Sequence, residues 1–461
     1  MPYLGNTPTT QSFISGTDYF NGTGAQTAFT LSRTPGSVND IQAVVNNVVQ
    51  QPNDAYTLSG NTITFTSAPS TGTNNVYVRY LSTTTQVITP SQNTVSWSTL
   101  DSNVQGDLGI NNKNRIINGA MVIDQRNAGA SVTPTNSQYL VDRFFASLTQ
   151  TSKFTAQQNA GSVTPPAGFT NYLGVTSSSS YAVLAGDLFV IGQAIEGFNT
   201  ADLDFGKATA KTVTLSFWVR SSLTGTFGGS LINNASNRSY PFSYTINAAN
   251  TWEQKSITIA GDTTGTWVGA TNGVGLYVYF NLGSGSTYSG TAGAWAGSLL
   301  TAPTGATSVV GTNGATFYIT GVQLEVGTQA TTFTPAGSSY GAELALCQRY
   351  YYKTYSASVV PGTSTQLGAM SLEVLADGTL TRLKLFSGRL PVSMRTQPTV
   401  TAYSETGTAD RISVYNNNIS TLTVSSIVGR GENSFGFYLN TTSNASASAS
   451  YMAQFVASAE L

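Results

Sequence analysis

Residues 213–221 read VTLSFWVRS. Leu215, Phe217 and Val219 fall on one side of an extended chain and Thr214, Ser216, Trp218 and Arg220 on the other, because successive side chains of a strand point to opposite faces. One apolar face and one mixed face is the pattern of a strand in a two-sheet sandwich. Similar runs flank it: VDRFFASL (141–148), WEQKSITIA (252–260), GVGLYVYFNL (273–282) and ATFYITGVQLEVG (315–327). Turn formers separate them, so this part of the chain is predicted to be a β-sandwich.

The composition extends that reading to the whole chain. Of 461 residues only 9% are charged, against roughly a quarter in an ordinary soluble domain. There are 46 glycines and 23 tyrosines, and Ser, Thr and Asn fill the polar positions, which suits strands and turns rather than helices. The predicted class is all-β, with several jelly-roll-like sandwich domains in series and short connector helices.

The same numbers exclude function classes. A net charge of −1 without a basic run lacks the electrostatic footprint of a nucleic-acid binder. No apolar run approaches the ~20 residues of a membrane span, and the start, MPYLGNTPTTQSF, lacks the segments of a signal peptide, which predicts synthesis in a cytosol without membrane insertion. One cysteine, Cys347, allows no intrachain disulfide. The absence of histidine removes the commonest general base, the usual Ser and Cys triads and the usual zinc ligand. An enzyme, a cofactor and a metal site are therefore not expected.

Along the chain, residues 1–85 read as an N-terminal β-module, with AFTLS, IQAVVNNVVQ, YTLSG, TITFTSA and NVYVRYL as its runs and Gly60-Asn61 as a hairpin turn. Residues 86–115 are a linker in which Trp97, Leu100, Val104 and Leu108 recur at helical spacing. That stripe fits either a surface helix lying on a neighbouring domain or a three-stranded neck buried by chain association. Residues 116–338 form the large sandwich and 354–461 a last β-sandwich domain with an Asp377-Gly378 turn, its final run stitched into a sheet. Between them AELALCQRYYYK (342–353) is helix-like, and residues 339–353 are predicted to be a connector helix with Cys347 as a small buried hydrophobe.

Three groups of residues resemble a known family. YFNGTGAQTAFTLS with the run from Val44 to Leu81 resembles a module near the N-termini of bacteriophage tail fibre proteins. NRIINGAMVIDQRN followed by YLVDRFF is similar to the start of the large sandwich of phage tail and receptor-binding proteins, and TLSFWVRSS, TFYITGVQLEVGTQATTFTP and YGAELALCQRYYYKTY to its later part and exit. RLPVSMRTQPTVTAYS is similar to the opening of the domain that follows. The resemblance implies a virion tail fibre, assembled in the host cytoplasm as a parallel homotrimer. Its N-terminal module would attach to other tail or adaptor proteins, and its distal domains would bind a host-surface glycan or protein. The family pattern carries over no catalytic residue.

Sugar recognition needs flat aromatic faces with amide and carboxylate hydrogen bonds. Trp267, Tyr288 and Trp295, in or beside loops, are the candidate platform, with core anchoring as the alternative for each. Trp252 lies in a similar setting, and the long loops from Gly283 to Gly314 are expected to carry the variable surface. Two rival functions remain. A glycan-degrading tailspike would need paired acids, for which Glu196, Asp202 and Asp204 are the densest cluster, and a purely structural fibre or collar would bind only virion proteins. Asp187, Asp202, Asp204 and Glu325 are hard-oxygen residues without the spacing of a calcium loop.

Overall fold

A computed structural model of the protein describes residues 16–81, 114–374, 382–416, 418–440 and 449–461. The chain divides into two compact units, Met1–Thr99 and Leu100–Leu461. The stripe Trp97, Leu100, Val104 and Leu108 and the Asp377-Gly378 turn lie outside the described residues.

In the first unit, Thr17–Gly22, Gly72–Tyr80, Ile41–Val45 and Val48–Val49 form one antiparallel sheet, and Ala28–Thr30, Thr62–Phe65 and Tyr56–Ser59 another. Phe29, Ile41, Ala43, Tyr56, Ile63, Phe65, Val76 and Val78 fill the space between them. The run 41–50, which the sequence presents as one strand, folds back on itself at Asn46-Asn47. Both asparagines take left-handed backbone, at φ 52° and 62°, which a two-residue hairpin turn requires.

The second unit opens with the sandwich. Phe154–Gln158, Leu173–Ser177, Thr316–Val326, Val213–Ser221 and Glu253–Ile259 form a five-stranded sheet. Ser239–Ile246, Gly225–Ile232, Val274–Ser284, Leu188–Glu196, Phe144–Leu148 and Tyr139–Val141 form a six-stranded one. Every pairing within them is antiparallel. Leu215, Phe217 and Val219 point inward against Phe189, Phe227, Phe242, Phe280 and Phe317. The long strand Thr316–Val326 keeps its apolar side chains inward across a frame shift by a bulge, where the register skips between Ser216 and Trp218. Gly321 takes φ 63° there, and a Cβ on it would lie 2.6 Å from the Phe169 ring, so this position demands glycine for both backbone and space.

The last strand, Ala449–Ser458, organises the rest. It pairs with Tyr351–Lys353, Met370–Val374, Thr399–Tyr403 and Arg411–Asn416, over a core that includes Val400, Ile412, Phe435, Phe437 and Phe455. The helix spans Tyr340–Gln348, capped by Ser339, whose hydroxyl accepts from the Ala342 amide at 3.3 Å. It is shorter than the sequence reading of 339–353. The three consecutive tyrosines favour strand over helix, and Tyr351–Lys353 finds ladder partners at Ser458, Ala457 and Val456. Cys347 is fully buried with Ile117, Ile123, Ala336 and Tyr350, so the helix is nailed to the sandwich's opening segment. Among the described residues no helix is long and apolar enough to cross a membrane.

Candidate functional site

Two of the three predicted platform residues come together. Trp267 and Trp295 stand 5.4 Å apart at 88°, both edge-on to Phe205 at 4.9 and 5.6 Å, and Tyr240 closes on Trp295 at 5.3 Å. Each indole N–H is already engaged. Trp267 donates to Asp262 and to the Thr264 carbonyl, both at 3.2 Å, and Trp295 to the Ala260 carbonyl at 2.7 Å. Asp262 in turn holds Arg238 through two bonds of 2.7 and 2.6 Å. The perpendicular rings present no common plane; they tie loops to the core edge. Tyr288 makes no ring contact with either indole among the described residues, and its carbonyl accepts from the Thr301 amide at 2.7 Å. Trp252 packs at 5.5 Å on Tyr172 and donates to the Thr164 carbonyl. Beside Trp267 lies a small hollow of about 80 Å³.

The long loop also has a packing role. Ser289–Gly290 and Ala302–Pro303 pair in parallel, and Pro303 lies on Gly228, where a Cβ would come within 2.4 Å of its ring. The segment therefore lies over the outer face of strand Gly225–Ile232, an arrangement that only a glycine in that strand permits.

The acidic residues do not converge. Glu196 accepts from Arg349 at 3.0 and 2.6 Å and from the Tyr350 hydroxyl at 2.6 Å. Asp202 pairs with Arg115 and Asp204 with Lys207. Asp187 accepts from Tyr181, Thr149 and the Leu184 amide, and Glu325 from Thr331 and Gln323. Among the described residues no group of three or more candidate ligands is poised around a metal position. Burial pushes the Glu196 carboxyl up, but the bonds from Arg349 and Tyr350 more than offset it and hold it below the ordinary glutamate value. Burial pushes the Cys347 thiol well up, which leaves it an unreactive core group.

A further concavity lies elsewhere. A cleft of about 370 Å³ opens between residues 122–128, the helix and residues 353–358, a size suited to a small ligand. Asp124 forms one wall, its oxygens accepting from the amides of Asn127 at 2.9 Å and Gly129 at 2.8 Å. Burial raises its carboxyl despite those bonds. Lys353 is buried opposite, donating to the carbonyls of Ala357 at 3.0 Å and Val359 at 2.7 Å. Burial pulls its ammonium down, against the opposing pull of Asp142 and Asp124. Gln158 is aligned by a 2.6 Å bond from its Nε2 to the Met121 carbonyl. The helix contributes Gln348, whose side chain has no hydrogen-bond partner among the described residues, and Tyr340, a residue 59% exposed. One carboxylate, one ammonium, two amides and an open aromatic ring line a common space with balanced charge, and of the amides that of Gln348 has no internal partner among the described residues.

Sequence reasoning missed this set. Its members come from positions 124, 158, 340, 348 and 353, joined only by tertiary structure. The signal was indirect: the anomalous helical stretch supplies one wall.

No protein-family model matches the chain, and no curated protein matches it in sequence. Among solved structures, the enzymatically active domain of tailspike protein 4 of bacteriophage CBA120 is similar over 46% of this chain at 13% identity, with a TM-score of 0.27. The match spans only 21% of that tailspike chain. The family 11 carbohydrate-binding module of a Clostridium thermocellum cellulosomal cellulase matches 44% of this chain and 99% of its own at 9% identity, with a TM-score of 0.22. The N-terminal cellulose-binding domain of Cellulomonas fimi β-1,4-glucanase C matches 38% of this chain and 90% of its own at 14% identity, with a TM-score of 0.19. Such weak likenesses set no residue correspondence, and the all-β class rests on the sheets themselves.

Proposed function

We propose that the protein is a virion fibre component that binds a bacterial surface saccharide in the cleft beside the helix, without cleaving it. The observation that carries the binding half is the convergence of Asp124, Gln158, Tyr340, Gln348 and Lys353 on one open space of about 370 Å³. Sugar hydroxyls both donate and accept, so a wall of mixed polarity and near-zero net charge suits a neutral polyol better than an anion. An exposed tyrosine adds a face for C–H stacking.

The fibre half rests on the sequence. The resemblance of residues 19–32 with 44–81, 114–127 with 139–145, 214–222, 316–335, 340–355 and 389–404 to phage tail fibre proteins supports attachment to tail or adaptor proteins through the N-terminal module and placement on the virion tail after assembly in the host cytoplasm. Homotrimerisation fits so low a content of charge, because association covers faces that few ionic groups solvate. Binding without hydrolysis is supported by the separate engagement of Glu196, Asp202 and Asp204, since hydrolysis needs two carboxylates flanking one bond.

The test is retention of the purified full chain on immobilised bacterial surface polysaccharides, alongside Tyr340→Ala and Gln348→Ala. Each variant is expected to weaken retention several-fold with an unchanged melting temperature. Undiminished retention in both would remove the cleft from the reading, and release of reducing ends would replace binding by cleavage.

A further inference from the structure

A second hollow, of about 180 Å³, adjoins the polar cleft, and Val122 and Tyr340 line both. Its wall is otherwise made by Ala120, Pro335 and three polar residues, Asn118, Ser339 and Glu343. The two buried ones, Asn118 and Glu343, are bonded to the backbone. The Asn118 amide nitrogen donates to the carbonyls of Ile123 at 2.8 Å and Asp142 at 2.9 Å, and its oxygen accepts from the Ile123 amide at 3.0 Å. The Glu343 carboxylate is held by the backbone amides of Asn118 and Gly337. Ser339 caps the helix.

A space lined by Ala120, Val122, Pro335 and Tyr340, whose buried polar side chains are engaged internally, gives water few partners, so water leaves it readily and an apolar group enters favourably. The neighbouring cleft is the more polar, lined by Asp124, Gln158, Lys353 and Gln348, the last with its amide unengaged among the described residues. One ligand that fills both spaces must therefore be polar at one end and apolar at the other.

We propose that the saccharide bound in the cleft carries an acyl group, on oxygen or nitrogen, whose methyl end seats in the hollow beside Ala120 and Val122. This rests on the saccharide reading of the cleft and narrows it to a substituted sugar. The acyl carbonyl would stay at the Tyr340 rim, where the polar wall begins.

The experiment uses an array of bacterial oligosaccharides, each printed in acylated form and after removal of its O- or N-acyl group, probed with the full chain and with Ala120→Leu. Wild type is expected to prefer the acylated member of a pair by roughly fourfold for each methyl or methylene buried. Leucine at position 120 fills the hollow, so A120L is expected to lose the preference while holding the deacylated sugars as wild type does, with an unchanged melting temperature. Equal retention of both members by wild type overturns the proposal, as does a preference that survives in A120L. If A120L instead changes the sedimentation mass, a neighbouring chain occupies the hollow and the proposal falls. Retention of no saccharide at all would sink the saccharide reading itself, an outcome distinct from loss of the acyl preference.

Discussion

The end of the sandwich around Trp267 and the cleft beneath the helix each set aromatic rings beside a hollow, and they differ in what their polar atoms do. At the first, both indole N–H groups, Asp262 and Arg238 are bonded to one another or to loop carbonyls, and the rings meet edge to face. At the second, Tyr340 stands open and Gln348 is unengaged among the described residues. An aromatic residue in a loop therefore signals a sugar platform only when its ring faces open space and polar groups nearby are unsatisfied. Otherwise it is a rivet.

The widest separation between the two regions is expected from Trp295→Ala. Truncating a core-edge tryptophan that touches Phe205, Trp267 and Tyr240 should cost about 3–5 kcal/mol of unfolding free energy, read by denaturant titration, with polysaccharide retention kept below the transition. Lost retention at unchanged stability would reverse the comparison.

Cys347→Ser tests the core beneath the helix. The thiol is fully buried in an apolar cluster, so the new hydroxyl should cost ~1–3 kcal/mol by the same titration, without altering retention once folded. A change in retention with the fold intact would place the helix interior in recognition.

Glu196→Gln probes the joint between helix and sandwich through its pH dependence. The folded carboxyl lies below its unfolded value of 4.5, so its contribution is complete above about that pH and is lost as pH falls toward the folded value. The variant is expected to be less stable than wild type at neutral pH and to converge with it in acid. Parallel pH profiles would show that the Arg349 pair contributes nothing.

The smallest effect on the fold is expected from Tyr340→Ala. A residue 59% exposed should leave the melting temperature nearly unchanged, while the lost stacking weakens saccharide retention by about 0.5–1.5 kcal/mol. Unchanged retention would make the two regions alike after all.

What the sequence made legible follows from range. Alternation in residues 213–221 and in 74–80 is a local property of a strand half in a core, and Leu215, Phe217, Val76 and Val78 are buried accordingly. The end of the helix was misplaced because a strand partner roughly a hundred residues away, a distance no local pattern reports, competes for Tyr351–Lys353. The Asn46-Asn47 turn was readable in principle, since paired asparagines tolerate left-handed backbone, but the apolar run around it hid the break. The bulge at Gly321 needed knowledge of its partner strand. The cleft was invisible for the same reason: Asp124, Gln158 and Gln348 are ordinary polar residues until tertiary structure sets them face to face.

The pairing of Lys353 with Val456 also has a meaning in time. At a synthesis rate of ~5–20 residues per second, Tyr351–Lys353 emerges from the ribosome roughly 5–20 s before the strand that holds it. Until then Lys353 has no ladder to fix it, and one wall of the cleft is unset. A nascent chain therefore passes through a stage at which its sandwich is complete in sequence while the Lys353 wall of the cleft is still unset. A nonsense codon between residues 359 and 448 would leave every cleft residue in the chain while removing the strand that fixes Lys353, and is expected to abolish saccharide retention.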